Sequence, residues 1–224
     1  LKFVVAIDGT ASSGKSTTAR LLAKKLGVTY LDTGAMYRAV TYLLLQEDGL
    51  QASDGLLQKI LLNSPLEFKI LNRKLYVYLD GKRLENELRT PEVDRWVSPV
   101  AEHLSVRAFL VAKQREIGKR RRLVCEGRDI GSVVFPDAAL KVFMTCELEE
   151  RTRRRKKELT EKGIERGFEE VKLNLQKRDE IDSTRKLSPL TRTTDAFYID
   201  TTHLTIEEQV ALIEAEVRKR MEGK

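Results

Sequence analysis

The residues with the clearest chemical purpose stand near the start of the chain: Gly9-Thr10-Ala11-Ser12-Ser13-Gly14-Lys15-Ser16, with Thr17 behind them. This is GxxxxGK followed by Ser or Thr, the spacing of a loop that wraps a phosphate chain. Glycines let the backbone bend until successive N–H groups face one phosphate cluster, and the helix that follows adds the partial positive charge of its first turn. Lys15 is placed to bridge the β- and γ-phosphates of a nucleoside triphosphate, and the Ser16 hydroxyl to reach Mg2+. A nucleoside triphosphate and Mg2+ are the expected ligands. The sequence holds neither the DxxG nor the NKxD string of a GTP switch. The strand-like Leu123-Val124-Cys125-Glu126 ends in a single carboxylate and runs into Gly127-Arg128-Asp129, where the arginine points to a bound anion and not to a metal alone.

A second group of side chains suits a second anion. Arg38, Arg128, Arg178 and Arg185 stand where strand-like segments give way to helices or flank Asp182, and Asp129 adjoins Arg128. Loops leaving the carboxyl ends of strands in a doubly wound sheet converge on one crevice. Guanidinium forks are the preferred clamp for a phosphate monoester. Further on, Arg151, Arg153, Arg154, Arg155, Lys156 and Lys157 open a charged helix. Composition leaves two readings of it: a solvated face beside Glu149, Glu150 and Glu161, or a lid whose arginines close on a transferring phosphoryl group. His103 and His203 have no partner spacing and read as surface or structural residues. A phosphomonoester acceptor, with a second pKa of about 6, is largely dianionic at neutral pH and needs no general base.

Short apolar runs alternate with amphipathic ones, as in a parallel sheet covered on both faces. Strands are expected at Phe3–Asp8, Leu123–Cys125, Leu140–Thr145 and Phe197–Asp200. Helices are expected at Ser16–Leu26, Thr33–Gln46, Asp54–Leu62, Glu147–Leu159, Phe168–Ile181 and Thr205–Met221, the last with a Thr205/Glu208 capping box. Leu66–Leu71 and Lys74–Leu79, separated by Asn72-Arg73, form an antiparallel hairpin, and Asp80-Gly81 allows a third short strand. This hairpin is expected to be an insertion folded as a satellite sheet. Thr90-Pro91 and Ser98-Pro99 each resemble a helix start, and Ser105 offers another, so 90–118 is helical with a break at an undetermined point.

The 224 residues carry 41 Lys+Arg against 34 Asp+Glu, a net charge of +7 spread along the chain and not gathered in a tail. That balance favours several anion contacts inside a cleft over a nucleic-acid-binding appendage. Aromatics at 6% are too sparse for base-stacking surfaces. Cys125 and Cys146 lie in apolar contexts and read as buried thiols. With no apolar run long enough to span a bilayer and no cleavage site after Leu1–Ile7, a cytoplasmic, membrane-free monomer is expected.

Together these motifs resemble those of bacterial-type cytidylate kinases of the nucleoside monophosphate kinase family. The likeness rests on Gly9–Thr17, Asp32-Thr33-Gly34-Ala35-Met36-Tyr37-Arg38, the hairpin, Glu126–Gly131 with Val133–Ala138, Glu149–Arg155, and the run from Arg178-Asp179 through Asp182 and Arg185 to Pro189-Leu190. It implies an α/β fold: a five-stranded parallel sheet flanked by helices, a small antiparallel β insertion and a helical lid. It also implies a core of 1–32, 119–150 and 167–224, a monophosphate-binding region of 33–118 with its insertion at about 63–85, and a lid of 151–166. The activity implied is transfer of the γ-phosphoryl of ATP to CMP and dCMP. By the same resemblance Arg38, Arg128 and Arg185 hold the CMP phosphate, while Ser98, Arg107 and Asp129 read cytosine. Arg178 and Asp182 lie by the sugar, Asp32 and Thr33 at the pocket floor, and Arg151, Arg154 and Arg155 on the lid facing the triphosphate. Two other readings compete: a kinase of the same core for AMP, shikimate or dephospho-CoA, and a nucleotide-regulated RNA-binding protein.

Overall fold

A computed structural model describes residues 3–222. The chain begins with β1 (Val4–Gly9), whose side chains are buried on both faces: Val4 and Ala6 join one core cluster, Val5 and Ile7 the other. That double burial is why the strand reads as a continuous apolar run. The elements that follow are α1 (Lys15–Leu26), β2 (Thr29–Asp32), α2 (Thr33–Gln46) and α3 (Asp54–Asn63). Next come β3 (Leu66–Leu71), β4 (Lys74–Leu79), β5 (Lys82–Leu84), α4 (Pro91–Val100), α5 (Leu104–Arg120) and β6 (Leu123–Gly127). The chain closes with β7 (Leu140–Thr145), α6 (Leu148–Glu161), α7 (Phe168–Thr184), β8 (Phe197–Asp200) and α8 (Ile206–Glu222). Thr205 and Glu208 exchange backbone and side-chain hydrogen bonds at the start of α8, completing the expected capping box.

Five parallel strands in the order β2-β6-β1-β7-β8 form the centre, as expected. β2 is too short to announce itself as an apolar run, and the sequence reading gives it no strand. The hairpin departs from expectation in another way. It is not a satellite sheet: β4 meets β2 in parallel through the Tyr30–Lys74 pair, and the Tyr30 N–H donates to the Arg73 carbonyl at 3.0 Å. The insertion therefore extends the central sheet, and Lys74 reaches the cleft described below. Asn72 and Arg73 both adopt positive φ, which gives the two-residue turn the twist the hairpin needs.

Register decides where the loops converge. Ile7 pairs with Glu126, Asp32 with the same Glu126, and Gly9 with Met144. The carboxyl ends of β1, β2 and β6 thus share one edge, and the chain leaves β1 at the point where the strand order reverses. Gly9 has φ +149°, and a Cβ there would stand 1.9 Å from the Met144 carbonyl oxygen, so no side chain fits as the loop leaves the sheet.

The break in 90–118 falls between Val100 and Leu104. Ser98-Pro99 is not a helix start but the last turn of α4, where Pro99 removes one interior hydrogen bond and helps end the helix. Thr90 caps α4, its hydroxyl accepting from the Val93 N–H at 3.3 Å. α5 begins at Leu104, one residue before Ser105, and Val106, Leu110, Gln114 and Gly118 form its buried stripe. Between β6 and β7, Ile130–Val134 make a wide helical turn in which the Phe135 N–H donates to the Ile130 carbonyl at 2.7 Å. Cys125 and Cys146 are both buried and unpaired. No helix of the described residues is long and apolar enough to cross a membrane.

Candidate active site

The phosphate-binding loop is bent by left-handed backbone at Ser12 (φ 58°) and Gly14 (φ 93°), and α1 starts directly after it. Lys15 is 4% exposed and donates to the Thr10 carbonyl at 2.5 Å. Burial, and after it the Arg128 guanidinium, push its ammonium down to about 7. Ser16 donates to Glu126 Oε1 at 2.7 Å. Burial and then the Asp32 charge raise the Glu126 carboxyl above its ordinary range. The outer wall of the loop is braced by Thr201, whose hydroxyl donates to the Ser13 carbonyl at 2.9 Å.

A cleft of about 650 Å³ opens from this loop. Its lining takes in Ala11 through Thr17, Asp32, Thr33, Arg38, Ser98, Arg128, Asp129, Arg154, Arg155, Arg178, Asp182 and Arg185. The three guanidiniums expected at an acceptor phosphate, Arg38, Arg128 and Arg185, therefore share one cavity with Lys15. Arg128 Nε donates to Asp182 at 2.7 Å, and Arg185 lies 3.8 Å from both Asp182 and Asp129. Burial works against the Asp182 carboxylate, yet Arg128, Arg178 and Arg185 outweigh it and hold its pKa below the usual range. Burial, and then Arg38, push Arg178 down to about 10. Arg178 Nε, Arg185 Nη2 and the Tyr37 hydroxyl are buried without a hydrogen-bond partner in the protein. Buried donors left in this state call for acceptor atoms from a ligand.

Each of these groups is held by the element it starts or ends. Asp32 caps α2 by accepting from the Ala35 N–H at 2.8 Å, and Thr33 donates to the Glu126 carbonyl at 2.7 Å. Asp8, 5% exposed, accepts from the N–H groups of Ile130 and Gly131 at 2.8 and 2.7 Å, which fixes the turn carrying Arg128 and Asp129. Burial raises the Asp8 carboxyl to about 7 despite both donors.

Four expected site residues lie behind the lining. Gly9 and Thr10 support the loop from the sheet side. Arg107 is buried beneath the pocket floor, ion-paired with Asp129 and 5.7 Å from the Tyr37 ring. Arg151 departs furthest from expectation. It donates to the carbonyls of Cys146 at 2.8 Å and Ala11 at 3.2 Å and ion-pairs with Asp179, which in turn accepts from the Ala11 N–H at 3.1 Å. It clamps the back of the phosphate loop and does not face the cleft. Among the remaining lid arginines, Arg154 donates to the Thr201 carbonyl at 2.7 Å, while Arg155 pairs with Glu158 and with Asp94.

The sequence reading assigns no site role to Glu126, Tyr37, Asp94, Arg89 or Lys74. Only Glu126 carries a signal, as the lone carboxylate ending a strand.

A cytidylate kinase family profile matches residues 5–219. The chain belongs to the cytidylate kinase family. It is 46% identical over 220 residues to a cytidylate kinase of Enterococcus faecalis, covering 98% of this chain and 97% of that one. It is 50% identical over 216 residues to a cytidylate kinase of Parabacteroides distasonis, covering 94% of each. A solved structure of an uncharacterized protein from Eubacterium ventriosum superposes with a TM-score of 0.55 at 11% identity, over 97% of this chain and 99% of that one, a likeness of fold alone. Membership in the cytidylate kinase family makes this chain an ATP-dependent nucleoside monophosphate kinase, and the P-loop and the α/β core have the form that the sequence leads one to expect.

Proposed function

We propose that this chain transfers the γ-phosphoryl group of ATP to the phosphate of CMP, and of dCMP, inside the 650 Å³ cleft. The observation that carries this reading is the meeting of two anion sites in one cavity: the loop with Lys15 at one end, and Arg38, Arg128 and Arg185 at the other. Both substrates are polyanions and must be held in line while charge develops on the transferring oxygens, so the demand on the protein is electrostatic. Ala11 through Thr17 hold the triphosphate, Lys15 spans its β- and γ-groups, and Arg154 from the core end of α6 and Arg155 from its lid end add positive charge. The acceptor phosphate lies on Arg38, Arg128 and Arg185. Asp129, oriented by Arg107 beneath it, accepts from the exocyclic amine of cytosine, where uracil would bring an oxygen against a carboxylate. Ser98 lines the same end, Arg178 and Asp182 face the sugar, and Asp32 and Thr33 close the floor. Arg151 serves by bracing the loop.

Ser16 and Glu126 are hard oxygen donors 2.7 Å apart, and the Glu126 charge is unfavourable where it is buried beside Asp32, so the pair suits a Mg2+ that keeps several waters and phosphate oxygens. A Mg2+ held by these two side chains would neutralise charge on the phosphate oxygens. In this reading the chain divides into a core, a monophosphate-binding region and a lid, and the lid is shortened from 151–166 to 155–166, since Arg151 and Arg154 are hydrogen-bonded to the core. The positive charge lying inside a cleft favours small anionic substrates over a nucleic-acid partner, and a cytoplasmic monomer is part of the same proposal.

A coupled assay of CMP, dCMP, UMP and AMP with ATP tests the reading. CMP and dCMP are expected as the preferred acceptors, and preference for AMP or for none of the four would overturn it.

A further inference from the structure

Arg38 has one acidic partner among the described residues, Asp94 on α4, at 2.5 Å. Its other terminal nitrogen donates to the Leu88 carbonyl at 3.0 Å. The same Asp94 carboxylate is ion-paired with Arg155 on α6. The Asp94, Arg38 and Arg155 side chains are only 13%, 12% and 15% exposed, so solvent screens the triad weakly. Burial alone would raise the Asp94 carboxyl, but Arg38, Arg155 and Arg178 outweigh it and hold the carboxylate ionised. Asp94 lies one helical turn before Ser98, on the face of α4 that borders the cleft. One carboxylate therefore sits between the guanidinium assigned to the acceptor phosphate and a guanidinium assigned to the transferring group.

We propose that Asp94 is a positioning residue that stands in for substrate phosphate: in the free protein it bridges Arg38 and Arg155, docks the lid on α4, and must give up Arg38 when the acceptor monoester binds. Two guanidiniums brought side by side repel unless an anion lies between them, and during turnover that anion is phosphoryl oxygen. Asp94 fills the role at rest. It keeps both arginines in place and competes with the phosphate of CMP. The inference rests on the acceptor-site reading above.

Competition and structural support predict opposite signs for one variant. In Asp94→Asn, calorimetric titration is expected to show CMP binding about tenfold tighter than in the wild type, the change produced when a form only one-tenth populated becomes the resting one. Cytidine, which lacks the phosphate, should bind within about twofold of wild type. Hydrogen exchange in 155–166 of the free protein should be faster, because the lid has lost its anchor. Asp94→Glu keeps the bridging charge and should restore wild-type behaviour in both measurements. If Asp94→Asn does not fold, Asp94→Ser carries the same expectations. CMP binding that is weaker or unchanged, equal tightening of cytidine, or unchanged lid exchange would each overturn the proposal. Arg38→Met separates the two readings: unaltered CMP affinity in that variant would overturn the acceptor-site reading itself, whatever Asp94 does.

Discussion

Individual side chains divide here into those that face the cleft and those that aim them. Lys15 is the cation our reading assigns to the transferring group, and losing one preorganised donor of this kind costs about 10²–10³ in rate. Lys15→Ala should lower kcat by at least that much while leaving CMP affinity within a few-fold, as steady-state kinetics with a CMP titration would show. Retention of wild-type kcat would remove Lys15 from the mechanism. Asp129 is the corresponding test of base choice. Asn at that position presents an amide with a donor as well as an acceptor, which cytosine's amine and uracil's oxygen can both meet. The ratio of kcat/KM for CMP over UMP should fall by about tenfold or more in Asp129→Asn, the range set by a hydrogen bond to a charged group. Arg107 and Asp8 act one step back: the first pairs with Asp129, the second holds the turn on which Arg128 and Asp129 stand.

At the scale of elements, the lid helix α6 is two things in one. Its first turns belong to the core, where Thr152 is fully buried and Arg151 grips the backbone of Ala11 and Cys146. Its later turns carry surface ion pairs such as Lys162 with Glu158, worth little in water, and end at Gly163 in a left-handed conformation. Phosphoryl transfer needs the cleft shut against water, so the later turns are the part expected to move. Amide exchange in the free protein should accordingly be faster in 155–166 than in 148–154, and ATP with CMP should protect mainly the former. Equal protection of both stretches, with or without nucleotides, would count against a hinge after Arg154. The hairpin illustrates a different limit. Its strands and turn are written locally, but its attachment depends on Tyr30 and Lys74 meeting across a long stretch of chain.

For the whole molecule, the +7 net charge has a structural meaning: guanidiniums and Lys15 are crowded into one cavity at the carboxyl edge of the sheet. Burial, and then the Arg128 charge, bring the Lys15 pKa down to about 7 in the free protein, whereas a bound triphosphate favours its charged form and raises it again. Binding is then linked to proton uptake. Affinity for ATP should decline as pH rises through about 7, with net proton uptake on binding above that value. Calorimetry of ATP binding in two buffers of different ionisation enthalpy measures that uptake. Its absence in the wild type, or its persistence in Lys15→Ala, would show that Lys15 is not the group that titrates.

The residue order alone already specifies the phosphate-binding loop, the alternation that makes a doubly covered parallel sheet, the hairpin strands and turn, and Arg38, Arg128, Arg178 and Arg185 as guanidiniums for one crevice. These are legible because each is a local pattern: glycine and lysine spacing, buried apolar runs, turn residues, and side chains placed just after strands. Long-range packing is what joins the hairpin to the central sheet, makes Ser98-Pro99 the end of a helix and not its start, and turns Arg151 to the loop's back while Arg155 reaches Asp94. The reason is physical. A guanidinium's partner is whichever carboxylate or carbonyl the packing of distant elements brings within about 3 Å. Spacing along one chain states which groups are available for that, and only register and helix placement state which of them meet.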